Sequence, residues 1–218
     1  MLELELKRER VTLHADGALH WTRAATLVIA DPHFGKDDIF RRAGIAVPRG
    51  PTMSDLQRLS RLLDHTGARR LLIVGDLVHG ASASGDDLLR QFAFWRRRHA
   101  GIEVVLVAGN HDRHEDWDGW KGSIEVTRTA LHEPPFVFSH DPVPDPRGYG
   151  IAGHLHPVFA HAALGTRAVR VFWQRPHGIV LPSWGEFTGG ARIAPVPCEG
   201  VFACTPEGVL TLQSGQID

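Results

Sequence analysis

The chain has 218 residues, and its 24 Lys and Arg stand against 25 Asp and Glu for a formal net charge of −1. At that balance no global field favours nucleic acid or an anionic membrane, so any such affinity must come from a local patch. Hydrophobic residues make up 43% and charged residues 22%, as in a globular protein long enough to bury a sizeable core. No apolar stretch approaches the roughly 20 residues that span a bilayer.

In chain order, Leu2, Leu4 and Leu6 alternate with charged residues, which predicts an edge strand with one buried face. Residues 11–14 and 19–21 flank Asp16-Gly17 and predict a hairpin. Residues 26–30 are the first central strand, followed by a polar loop over 34–50. Pro51 starts a helix whose Met53, Leu56, Leu59, Leu62 and Leu63 recur at helical spacing, and Gly67 ends it. A second central strand covers 71–75, a loop 78–84, a helix 86–98, and a third central strand 102–108. These make a β-α-β-α-β half with parallel strands, over residues 1–120. The half from 121 to 218 reads as β-rich, with short strands at 123–127, 130–132, 136–139, 149–152, 157–162, 168–174, 178–181, 200–204 and 209–212. Pro/Gly turns between them predict a mainly antiparallel second sheet. The expected fold is α/β: a two-layer mixed β-sandwich flanked by helices, as a single domain over 1–218.

All three central strands end in residues that bind metals: Asp31-Pro32-His33, Gly75-Asp76, and Gly109-Asn110-His111-Asp112. In open α/β sheets ligands bind at that carboxyl edge. Adding His140, His154 and His156 gives two carboxylates, four imidazoles and an amide oxygen with Asp31, His33, Asp76 and Asn110. This O/N set without thiolate suits Mn²⁺, Fe or Zn²⁺. It is too large for one four-coordinate zinc and about right for two divalent ions with one carboxylate shared. Two carboxylates against two divalent cations leave the site net positive, which attracts a phosphate oxyanion. Two ions about 3.5–4 Å apart can clamp an in-line displacement and lower the pKa of bound water towards about 7. The chemistry implied is phosphoester hydrolysis by a metal-bound hydroxide.

These blocks resemble the calcineurin-like metallophosphoesterases, whose pattern is Asp-x-His, Gly-Asp, Gly-Asn-His-Asp/Glu, a later His, and Gly-His-x-His. All five stand in order between about residues 26 and 160. The resemblance implies that Asp31, His33 and His156 hold one ion, that Asn110, His140 and His154 hold the other, and that Asp76 bridges. It also implies that His111 assists the leaving group over the substrate, with Asp112 orienting its ring. A narrower resemblance is to the DNA-ligase-associated branch, on Asp31-Pro32-His33-Phe34-Gly35-Lys36, Phe40-Arg41-Arg42-Ala43-Gly44-Ile45, and the stretch from Leu181 to Gly190. That branch implies a Mn²⁺-dependent phosphodiesterase or nuclease acting on DNA in repair, functionally linked to DNA ligase and helicase. A phosphomonoesterase and a nucleotide or pyrophosphate hydrolase share this site chemistry and stay open. A non-catalytic scaffold is disfavoured because every ligand position is filled.

At the rim, Lys36, Arg41, Arg42 and Arg49 are candidates to grip a phosphate backbone, against a solvated charged loop. Arg113, His114 and His79 are further candidates for substrate contact. Arg90, Arg96, Arg97 and Arg98 suit an outward helix face near a helix C-terminus. Trp184 and Phe187 suit core packing ahead of an aromatic wall for a base. The other histidines (His14, His20, His65, His99, His132, His161 and His177) receive no role. Cys198 and Cys204, the only cysteines, are too few for a disulfide scaffold and point to a reducing, cytoplasmic setting, with no membrane partner. The N-terminal Met-Leu-Glu-Leu-Glu-Leu-Lys lacks the apolar core of a signal peptide.

Overall fold

The computed structural model describes residues 1–47, 50–79, 86–165 and 167–215. The expected loop at 78–84 and the candidate Arg49 fall largely or wholly outside these residues. Among the described residues one sheet has seven strands in sequence order: β1 (Leu2–Leu6), β2 (Glu9–His14), β3 (Ala18–Trp21), β4 (Thr26–Ile29), β5 (Arg70–Val74), β6 (Glu103–Val107) and β7 (Glu125–Thr127). The first four pair antiparallel and the last four parallel. The parallel arrangement follows from the crossover helices α2 (Pro51–Thr66) and α3 (Asp86–Arg98) between its strands. β7 lies in the part read as the β-rich half, yet it completes the first sheet beside β6.

The second sheet contains β8 (Leu131–Glu133), β9 (Phe136–Ser139), β10 (Tyr149–Ala152), β11 (Pro157–Phe159), β12 (Val169–Arg175), β13 (Gly178–Val180), β14 (Ala191–Arg192), β15 (Gly200–Thr205) and β16 (Gly208–Gln213). Most of its pairings are antiparallel, as expected, although the edge strand β14 runs parallel to β11. At its centre β10 runs parallel to both β9 and β13, a pairing that no turn signal marks. The parallel start matters because β10 delivers Gly153-His154-Leu155-His156 to the same edge as the first sheet's ligand turns.

The central strands are buried on both faces, and alternate residues serve different layers. Leu27, Ile29, Leu71, Ile73, Val104 and Leu106 face Leu56, Leu59 and Leu63 of α2 and Phe92 and Trp95 of α3. Val28, Leu72, Val74, Val105 and Val107 face Phe136, Phe138, Ile151, Phe172 and Phe202 across the sandwich. That double burial explains continuous apolar runs in place of alternation. Truncating one of these Leu or Phe side chains to Ala would cost about 2–5 kcal/mol. No described helix is long and apolar enough to cross a membrane.

One expectation is corrected in the polar segment after the first ligand pair. It contains a short helix, α1 (Lys36–Arg42), entered from Gly35 in the left-handed region (φ 78°). Asp37 and Asp38 in its first turn and Arg41 and Arg42 in its last match the helix dipole. At seven residues it shows too few periods to stand out as amphipathic.

Candidate metal centre

The three ligand turns leave β4, β5 and β6 side by side, and backbone bonds lock them together. Asp31 N donates to Gly75 O (3.2 Å), and His33 N donates to Asp76 O (3.0 Å). Asp76 Oδ1 accepts from His111 N (2.9 Å), and Asp31 Oδ2 accepts from His154 N (2.8 Å). Eight described non-glycine residues have positive φ, and five of them are expected ligands: Asp31, His33, Asp76, His154 and His156. L-residues rarely adopt that conformation, and it concentrates where surrounding structure enforces a functional geometry. The glycines before these ligands let the turns close. A Cβ on Gly75 would run into the His140 ring, and one on Gly109 into the Asp76 carboxylate.

All seven expected ligands come together. Asp76 Oδ2 lies 3.7 Å from His33 Nε2 and 3.6 Å from His140 Nε2, between the two groups. On one side Asp31, His33 and His156 cluster, with His156 Nε2 3.5 Å from Asp31 Oδ2. On the other, His140 Nε2 lies 2.8 Å from Asn110 Oδ1 and 2.9 Å from His154 Nδ1. Asp31, His33, Asp76 and His140 are buried. Yet Asp31 Oδ1, His33 Nε2, His140 Nδ1 and His156 Nε2 have no hydrogen-bond partner. Buried polar atoms left unpaired cost about 1–3 kcal/mol each. Several of them converging with carboxylate and imidazole chemistry fit a pair of divalent ions. Burial, reinforced by His156 and His79, pushes the His33 imidazole down to about 2, so it is held in the neutral form that a metal needs.

Neighbouring groups orient the expected ligands. His156 Nδ1 donates to the Gly189 carbonyl (3.2 Å), which directs Nε2 inwards. His154 Nε2 lies 3.7 Å from Asp141 Oδ1. Ser183 Oγ donates to Asp31 O (2.9 Å), and Trp184 N to Ala30 O (2.7 Å). The late segment from Leu181 to Gly190 is therefore a brace on the first ligand turn. Trp184 is fully buried beneath the Arg58 guanidinium, 4.2 Å away, so it packs in the core and offers no wall to a base. Phe187 is partly buried, 6.3 Å from the Phe40 ring. Asp141 and Arg58 belonged to no motif, and Phe40 and Ser183 stood only within the resemblance stretches without a role, because each acts through a contact that the fold makes.

The rim differs from expectation in three places. Asp112 does not orient His111: its fully buried carboxylate accepts backbone N–H groups of Gly109 (2.8 Å), Leu77 (3.3 Å) and Val78 (3.3 Å), tying the Asp76 turn to the Asn110 turn. Burial pushes that carboxyl up to about 6. His111 is about one-third exposed, with its Nε2 4.0 Å from Asp76 Oδ2 and its ring stacked on His79 at 4.9 Å. Arg41 pairs with Asp37 and Asp38 of its own helix, while Arg42 is exposed. Lys36 is partly buried with its ammonium 5.7 Å from the Phe40 ring, and burial lowers its pKa. Arg113 lines a groove of about 530 Å³ beside Gly109 and His140, together with Arg128, which no motif had marked.

A calcineurin-like phosphoesterase family model matches residues 25–195. Comparison with curated proteins finds no match. Among solved structures, the Pseudomonas putida nuclease MPE is 32% identical at a TM-score of 0.86, over 97% of this chain and 99% of that one. The E. coli phosphoesterase Yfce is 15% identical at a TM-score of 0.43, over 86% of this chain and 92% of that one. With four-fifths of its length inside the family's pattern and nearly all of it shared with a nuclease, the chain belongs to the calcineurin-like phosphoesterases, metal-dependent hydrolases of phosphate esters.

Proposed function

We propose that this phosphoesterase is a phosphodiesterase acting on DNA, with two Mn²⁺ ions as cofactor. The observation that carries the reading is the clustering of Asp31, His33, His140 and His156, each with a buried unpartnered atom, with Asp76 Oδ2 lying between His33 Nε2 and His140 Nε2. The likeness to a nuclease over nearly the whole chain favours a polynucleotide over a phosphoprotein or a free nucleotide. The oxygen and imidazole donor set suits Mn²⁺. The narrower resemblance to the DNA-ligase-associated branch supports a role in DNA repair, in the cytoplasm, with ligase and helicase as functional partners. Residues 1–218 act as one domain in this reading.

Asp31, His33 and His156 would hold one ion and Asn110, His140 and His154 the other, with Asp76 available to both. When bound, the ions supply Lewis acidity to the phosphoryl oxygens and lower the pKa of bound water. His111 sits at the mouth with its main chain pinned to Asp76 and its ring stacked on His79. From there it gives a proton or hydrogen bond to the leaving oxygen, which departs as a basic alkoxide. Arg113 and Arg128 in the adjoining groove hold flanking phosphates, and Lys36 adds a cation on the His33 side.

The test is to incubate the protein with Mn²⁺ and single-stranded, linear or supercoiled DNA, and to compare bis-aryl with mono-aryl phosphate. DNA cleavage and preference for the diester are expected, with His111→Ala losing about 10²–10⁴-fold in rate while both ions still bind. Preference for the monoester, or no cleavage of any DNA, would overturn the assignment.

A further inference from the structure

His33 is tied to a partner that the ligand pattern does not include. Its Nδ1 lies 3.1 Å from Nδ1 of His79, two nitrogens that must share a single proton to bond. The other nitrogen of His33, Nε2, is buried, unpartnered and directed towards Asp76 Oδ2 at 3.7 Å. A ligating imidazole nitrogen cannot carry a proton. With Nε2 given to an ion, the neutral His33 ring must therefore carry its proton on Nδ1. The bond then has one direction: His33 Nδ1–H donates and His79 Nδ1 accepts. His79 is in turn the tautomer protonated at Nε2.

We infer that His79 is a positioning residue for the metal centre: it accepts the His33 Nδ1 proton and thereby fixes the tautomer and ring angle of that ligand. His156 in the same cluster shows the usual form of this device, with Nδ1 on the Gly189 carbonyl. His33 uses an imidazole where a carbonyl or carboxylate would ordinarily serve. The choice has a geometric basis. The ring of His79 crosses His33 at 74° with centroids 5.0 Å apart, and it stacks on His111 at 4.9 Å and 23°. One side chain thus holds a ligand through an edge nitrogen and backs His111 with its face. A carbonyl could do only the first.

The inference rests on the two-ion reading, and its test separates the two. Mn²⁺ binding to the metal-free protein is measured by calorimetry for the unaltered chain, His79→Asn and His79→Phe. Asn puts an acceptor oxygen where Nδ1 stands, without the ring. Phe keeps the ring against His111, without the acceptor. The unaltered chain should take up two ions. Phe should weaken one of them about 10–100-fold, and Asn should stay within a few-fold of the unaltered chain. Phe binding as well as the unaltered chain, or better than Asn, would show that the ring only packs, and would overturn this role while leaving the metal centre standing. No Mn²⁺ uptake by the unaltered chain would overturn both.

Discussion

Replacing Asp112 by Ala separates two accounts of the residue that follows His111. In the structure its carboxylate accepts three backbone N–H groups, from Gly109, Leu77 and Val78, with no water access. Removal leaves three buried donors unpaired, each worth about 1–3 kcal/mol. Relief of the carboxylate's own desolvation offsets part of that, so the low end of the scale applies and the net loss is about 3 kcal/mol. With a urea slope of about 2–3 kcal/mol per molar, the unfolding midpoint should fall by about 1 M or more. The measurement belongs near pH 8, where a carboxyl pushed up to about 6 is ionised. Both tied turns carry proposed ligands, Asp76 and Asn110, so Mn²⁺ affinity should fall as well. An orienting role towards the His111 ring makes the opposite forecast: activity falls as in His111→Ala and the midpoint holds. A midpoint within about 0.2 M of the unaltered protein would refute the backbone account, given that slope.

Two further outcomes follow from the same structure. Gly75→Ala combines a positive φ of 92° with a Cβ driven into the His140 ring; elemental analysis should find at least one ion lost from the folded protein, and two retained ions would contradict the close approach. Asp55 is buried beside Arg58, and burial pushes its carboxyl up from 3.8 to about 6. The folded state then holds more protons than the unfolded state between those values, so this group's contribution to stability is full below about pH 4 and declines by up to about 3 kcal/mol as pH rises through 6. Asp55→Asn should flatten that decline in urea titrations between pH 4 and 7, and an unchanged pH profile would sink the assignment.

Much of the site was legible because its chemistry is local in sequence. Each of Asp31-Pro32-His33, Gly75-Asp76 and Gly109-Asn110-His111-Asp112 closes a Val- or Leu-rich run, and a strand buried on both faces leaves its polar groups nowhere but the ends. That is why the seven ligand-type residues and the two-sheet fold could be read from the chain. The helices 51–66 and 86–98 were equally plain, from their apolar spacing and from Pro51 and Gly67 at the ends of the first.

Side-chain partners were decided only by tertiary structure. Nothing in the spacing of Asp112 tells whether its oxygens meet an imidazole or three backbone N–H groups. The answer depends on how closely the turns after β5 and β6 pack. Trp184 could be wall or core until Arg58, 126 residues away, was seen to cover it. Likewise Arg41 became a partner of Asp37 and Asp38 only once α1 existed to bring them onto one face. The parallel course of β10 between β9 and β13 set His154 and His156 opposite Asp31, a juxtaposition spanning more than 120 residues. Residue identity and local periodicity are written along the chain. The direction of a buried hydrogen bond depends on which distant segment fills the space beside it, and only packing settles that.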